Sequence, residues 1–118
     1  MCRMGARSFF DISNRPAGLC HEFYIQLSAA GKREAWVRCL NNAYAERKNI
    51  EQYARELKVP ALLVWGEDDR TVRVKHARAF HRRIAGSVMV TYAECAHSVP
   101  LEKPELLCND IVEFIEGT

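Results

Sequence analysis

No Gly-x-Ser-x-Gly string occurs anywhere in the 118 residues. That string encodes the strained strand-to-helix turn that exposes a nucleophilic serine, so its absence excludes a self-contained serine nucleophile of that kind and the oxyanion donor that follows it. No uninterrupted apolar run approaches the roughly 18 residues that a membrane helix needs. The start, MCRMGARSFF, has no apolar stretch of signal-peptide length before the polar Asp11, Ser13 and Asn14. These absences predict a cytoplasmic chain with no membrane partner. Five cysteines, Cys2, Cys20, Cys39, Cys95 and Cys108, are an odd number with no Cys-x-x-Cys pair. That pattern suggests neither a full disulfide framework nor a zinc site, and it predicts reduced, mostly buried thiols with no metal and no cofactor.

A net charge of +2 is too small to imply a polyanion partner. Even so, the stretch from Arg70 to Arg83 holds Arg70, Arg73, Lys75, Arg78, Arg82 and Arg83 with no acid among them. On a helix from about Lys75, the residues Lys75, Arg78 and Arg82 share one face while Ala77, Phe80, His81 and Ile84 share another. This is the pattern of a surface helix with a solvated side, and no nucleic-acid partner is expected.

What is there divides near Leu57, where charged helical periodicity gives way to a Pro-marked apolar strand. Upstream, Leu19 to Ala30 and Lys32 to Tyr44 read as helices broken at Gly31, and a third helix runs from about Ile50 to Leu57. The first eighteen residues read as loop. Downstream, Ala61 to Trp65 fits a strand buried on both faces, and Val88 to Tyr92 supplies a second. A last helix follows Pro104, with Leu106, Leu107, Ile111, Phe114 and Ile115 at helical spacing up to Gly117. The order strand, helix, strand, helix predicts an α/β class with two parallel strands and flanking helices. Two such strands are not a complete sheet, so an unpaired edge must meet other protein, a second copy or solvent.

In an open α/β sheet ligands gather outside the carboxyl ends of the strands. An acidic pair, Asp68 and Asp69, follows the first strand and His97 follows the second, so an acid and an imidazole face one crevice. The imidazole can take a proton from a hydroxyl and return it to a leaving group, while a buried carboxylate fixes its tautomer and stabilises the imidazolium.

VPALLVWGEDDR (Val59 to Arg70) together with AECAHSVPLEKPE (Ala93 to Glu105) resembles the C-terminal segment of the α/β-hydrolase superfamily, with its last two core strands. The resemblance implies a partial α/β-hydrolase fold in which residues 58–118 are the end of the core. It maps the catalytic acid onto Asp69, three residues after Gly66, and the general-base histidine onto His97, ahead of a helix begun by Pro104 and Glu105. More loosely, residues 1–57 resemble the helical lid of that family, which would make Trp36, Leu40 and Tyr44 walls of a substrate pocket. The implied function is the acid and base of a Ser-Asp-His triad for cleaving an ester or similar bond in a small-molecule substrate. The chain would be inactive without a segment carrying the serine. The alternative is a catalytically silent chain that self-associates through its open sheet edge.

The sequence departs from the family pattern at Arg73, where proline is common, and at Ala96, where glycine is usual and a positive φ would be strained. Ser8, Ser13, Ser28, Ser87 and Ser98 sit in no glycine-bounded elbow. Cys95 with His97 supplies only two metal ligands. His21, His76 and His81 read as surface or boundary residues.

Overall fold

The computed structural model describes residues 7–117, and the side chains of all of these but 47 and 48. Cys2 and the first third of the expected N-terminal loop lie outside the described residues. After a 3₁₀ turn at Ile12–Asn14, three helices follow: α1 Leu19–Ser28, α2 Lys32–Ala45 and α3 Arg47–Glu56. The rest alternates β1 Leu62–Gly66, α4 Val74–His81, β2 Val88–Tyr92, the short α5 Val99–Glu102 and α6 Pro104–Glu116.

Gly31 separates α1 from α2 with φ of 75°, a left-handed conformation that a side chain would strain. α3 starts three residues earlier than the expected Ile50. Glu46 between α2 and α3 keeps helical dihedrals, its N–H reaches Asn42 C=O, and its carboxylate accepts from Asn49 Nδ2 at 2.7 Å. The chain therefore passes from one helix to the next with almost no break. α5 was not expected. Ser98 C=O accepts from Leu101 N–H and Glu102 N–H, and Pro100 in the first turn has no N–H to lose.

β1 and β2 pair in parallel, with Leu62 opposite Val88 and Gly66 opposite Tyr92. The ladder extends past the strands at both ends, through Val88 N–H to Ala61 C=O and Glu67 N–H to Tyr92 C=O. Among the described residues each strand has one neighbour. A core of Tyr92, Cys95 and Val99, joined by Val64, Val90 and Leu107, lies under the carboxyl ends of the strands. The Tyr92 hydroxyl donates to Asp110 on α6, closing the core on that side. Burial, and then Asp110, push the Tyr92 phenol well above its usual range.

α4 and the turn after it divide as the sequence implies: Ala77 and Ile84 are buried, Phe80 and His81 are half-buried, and Lys75, Arg78 and Arg82 are exposed. One expectation about burial is corrected. Leu62 to Trp65 are half-covered rather than buried on both faces. Of the apolar residues on α6, Leu107 and Phe114 are half-buried, while Leu106, Ile111 and Ile115 are exposed. An apolar pattern records what a strand or helix can bury, and here the covering layers on one side are not supplied by residues 7–117.

Candidate active site

Gly66 ends β1 where two loops touch. A Cβ built there would lie 2.1 Å from Ala96 O and 2.3 Å from Cys95 O, so no side chain fits. This backbone contact lets Asp68 N–H reach Cys95 C=O at 3.0 Å and brings the turn after β1 under the turn after β2.

Asp69 sits in the first of these turns with its side chain 2% exposed. Oδ1 accepts from Thr71 N–H at 2.7 Å and Val72 N–H at 2.9 Å, an Asx-type turn that locks the carboxylate in place. Trp65 Nε1 donates to Val72 C=O at 2.7 Å and ties the far end of the turn back to β1. Oδ2 is left for one partner, His97 Nδ1 at 2.8 Å. Because an ionised carboxylate only accepts, this contact assigns the proton of neutral His97 to Nδ1 and leaves Nε2 as the acceptor. The His97 ring is 43% exposed. It borders an open depression of about 190 Å³ lined by Val64, Trp65, Val99 and Pro100. A buried acid, an oriented imidazole and an accessible face are the parts of a general base.

The second turn is held mostly by its backbone. Glu94 takes φ of 51°, so the left-handed residue lies two positions before Ala96 rather than at Ala96. Ala96 N–H donates to Glu102 Oε1 at 2.9 Å, and Ser98 N–H to Ser8 C=O at 2.9 Å. Cys95 is fully buried; burial first, and then the Glu102 carboxylate, push its thiol up to about 11. It stays protonated at neutral pH and is no nucleophile.

Of the two adjacent acids, Asp69 meets the imidazole, while Asp68 bonds through its backbone N–H to Cys95 C=O. Trp36, Leu40 and Tyr44 lie along α2 at four-residue steps, all exposed, and Trp36 meets Phe23 edge-on at 5.9 Å. Trp36 borders a groove between α1 and α2, separate from the depression at His97. The Ser87 hydroxyl contacts His81 Nδ1 at 2.9 Å and donates to Ile84 C=O, fastening the α4–β2 turn. Among the described residues no group of three or more His, Cys, Asp or Glu could hold a metal ion. Nor is any helix there long and apolar enough to cross a membrane.

Three participants were missed from sequence: Glu102, the segment Ser8–Phe10 and Trp65. Each acts through a contact to residues distant in the chain or through an indole N–H, and no local spacing marks these. Only Pro100, as a helix-start residue soon after the histidine, hinted at the turn that carries Glu102.

Residues 22–104 match the family model described as serine aminopeptidase, S33. An uncharacterized hydrolase, YugF, of Bacillus subtilis (strain 168) is 37% identical over 62 residues, covering 52% of this chain and 23% of that protein. The human monoacylglycerol lipase ABHD6 is 29% identical over 69 residues, covering 58% of this chain and 20% of that protein. A serine hydrolase involved in carbazole degradation (CarC enzyme) superposes with a TM-score of 0.73 at 24% identity, over 88% of this chain and 41% of that one. The chain thus spans less than half of each of these proteins. The family match over most of the chain, on a parallel β–α–β–α arrangement, places this chain in the α/β-hydrolase superfamily.

Proposed function

We propose that this chain supplies the acid and general base of a Ser-Asp-His hydrolase, Asp69 and His97, and works with a segment that carries the serine elbow. The observation that carries this reading is the 2.8 Å contact between His97 Nδ1 and the buried Asp69 carboxylate, with the ring open on its other side. In the proposed step, His97 Nε2 takes the proton of the attacking serine hydroxyl. Asp69 retains the Nδ1 proton's hydrogen bond and stabilises the imidazolium. The imidazolium then returns the proton to the leaving alkoxide, and the same base activates water to release the acyl group. The substrate class is an ester or similar acyl bond. The monoacylglycerol lipase name of one relative is compatible with that class. On this reading α1 to α3 are the lid-like segment, with Trp36, Leu40 and Tyr44 as walls of a substrate pocket. A cytoplasmic setting is supported by Cys39, Cys95 and Cys108, which are free thiols.

The test is reconstitution with a complementary α/β-hydrolase segment that bears a Gly-x-Ser-x-Gly elbow. The assembly should hydrolyse an activated ester such as p-nitrophenyl butyrate, and His97→Ala should lower kcat by about a thousandfold or more. Equal turnover in the variant would overturn the assignment.

A second reading, a catalytically silent partner that self-associates, draws on the one-sided pairing of β1 and the exposed apolar face of α2. It predicts a stable dimer that shows no turnover after reconstitution.

A further inference from the structure

Glu102 lies outside the acid–histidine pair, yet its carboxylate binds backbone on two separate segments. Oε1 accepts from Ala96 N–H at 2.9 Å, the amide just before His97. Oε2 accepts from Phe10 N–H at 2.5 Å, 92 positions away in the chain. The amide just after His97, Ser98 N–H, donates to Ser8 C=O at 2.9 Å. Phe9 between these two contacts is buried, which anchors the segment. Both peptides flanking His97 are therefore fixed, one by Glu102 and the other by a strap that Glu102 also holds.

An ionised carboxylate suits this place because it has two acceptor oxygens and no donor. Hydrogen bonds to a charged acceptor are roughly twice as strong as neutral ones. Asp69 is locked within its own turn by two backbone bonds. Among the described residues the His97 ring meets no hydrogen-bond partner but Asp69, so its distance from Asp69 depends on what holds residues 96–98.

We propose that Glu102 is a positioning residue: it clamps Ala96 and Phe10, and through them the Ser8–Phe10 strap, so that His97 Nδ1 stays within hydrogen-bond distance of Asp69. The proposal rests on reading Asp69 and His97 as the acid–base pair, and the experiment separates the two claims.

The far-downfield Nδ1–H resonance of His97 and the exchange rates of the Ala96 and Ser98 amides are recorded by NMR on the ¹⁵N-labelled chain. The variants are Asp69→Asn, Glu102→Ala and Glu102→Gln. In the unmodified chain the His97 resonance should be present, and Asp69→Asn should remove it or shift it far upfield. If the resonance is absent, or unmoved by Asp69→Asn, the acid–base reading fails whatever Glu102 does. Glu102→Ala should speed exchange at Ala96 by roughly tenfold or more, the loss of one charge-assisted bond. It should also broaden the His97 resonance while the amides of β1 and β2 keep their protection. Glu102→Gln retains one carbonyl acceptor and should restore part of both signals. Unchanged Ala96 exchange and an unchanged His97 resonance in Glu102→Ala would overturn the proposal. Should Glu102→Ala unfold β1 and β2 as well, Glu102→Gln decides. Faster Ala96 exchange with a broadened His97 resonance supports the clamp, and wild-type values for both overturn it.

Discussion

Gly66 shows how one missing side chain can set the geometry of a site. Its Cα lies where the carbonyls of Cys95 and Ala96 pass, so Gly66→Ala must push two main-chain segments apart rather than rotate a flexible group. Backbone clashes of that kind belong to the large end of single-residue effects, and a loss of at least about 3 kcal/mol is expected. Urea denaturation followed by tryptophan fluorescence gives this number, and a loss under about 1 kcal/mol would mean the loops part easily. Cys95, two residues before the histidine, makes a chemical prediction. Its buried, protonated thiol should resist iodoacetamide at pH 8 while the exposed Cys39 and Cys108 are alkylated. Peptide mapping by mass spectrometry reads the order, and early labelling of Cys95 would contradict the burial described for its turn.

At the scale of elements, the strands and α4 were legible because each carries a strong local pattern. β-branched and apolar residues bounded by proline and glycine mark β1 and β2, and the alternation of Ala77 and Ile84 with Lys75, Arg78 and Arg82 marks the buried face of α4. That an acid after β1 and His97 after β2 lie close together was legible for a related reason, since topology brings the carboxyl ends of parallel neighbours together, whereas the choice of Asp69 over Asp68 came from the resemblance. The clamp at Glu102 was not legible, because it joins Ala96 and Phe10 across the fold. The left-handed Glu94 was also hidden, since glutamate carries no special preference for that conformation. β1 misled in the other direction: its apolar residues promised full burial that residues 7–117 do not complete. Tyr92 offers a test of how α6 is held. Tyr92→Phe removes the hydroxyl donated to Asp110 and should cost about 1–2 kcal/mol in chemical denaturation. An unchanged midpoint would mean that apolar contact alone docks α6.

At the scale of the whole molecule, the radius of gyration is 16.2 Å. A compact domain of this length would give about 13.5 Å. The excess comes with exposed apolar residues on α1, α2 and α6, among them Tyr24, Leu40, Tyr44 and Ile115. Exposed apolar surface of this extent favours association, so the isolated chain should form oligomers or bind a hydrophobic dye. Sedimentation velocity checks this, and a monodisperse monomer without dye binding would contradict it. Stability should also depend on pH in one direction. The Cys95 thiol, raised from 9.0 to about 11, and the Tyr92 phenol, raised from 10.0, both keep their protons longer folded than unfolded. The folded state thus binds more protons above pH 9, and stability falls as pH rises. Melting temperatures should hold between pH 7 and 9 and decline toward pH 11, less steeply in Cys95→Ala. A flat or rising profile would contradict the burial of both groups.

The proposed function requires Asp69 and His97 to act together on a serine that another segment provides. The most direct measurement is the rate at which a fluorophosphonate probe labels that serine in the reconstituted assembly, with the wild-type chain and with Asp69→Asn and His97→Ala. The account predicts rapid labelling with the wild-type chain, and a fall of about a thousandfold or more in each variant while the assembly stays intact by sedimentation. Labelling at the same rate with all three chains would contradict it.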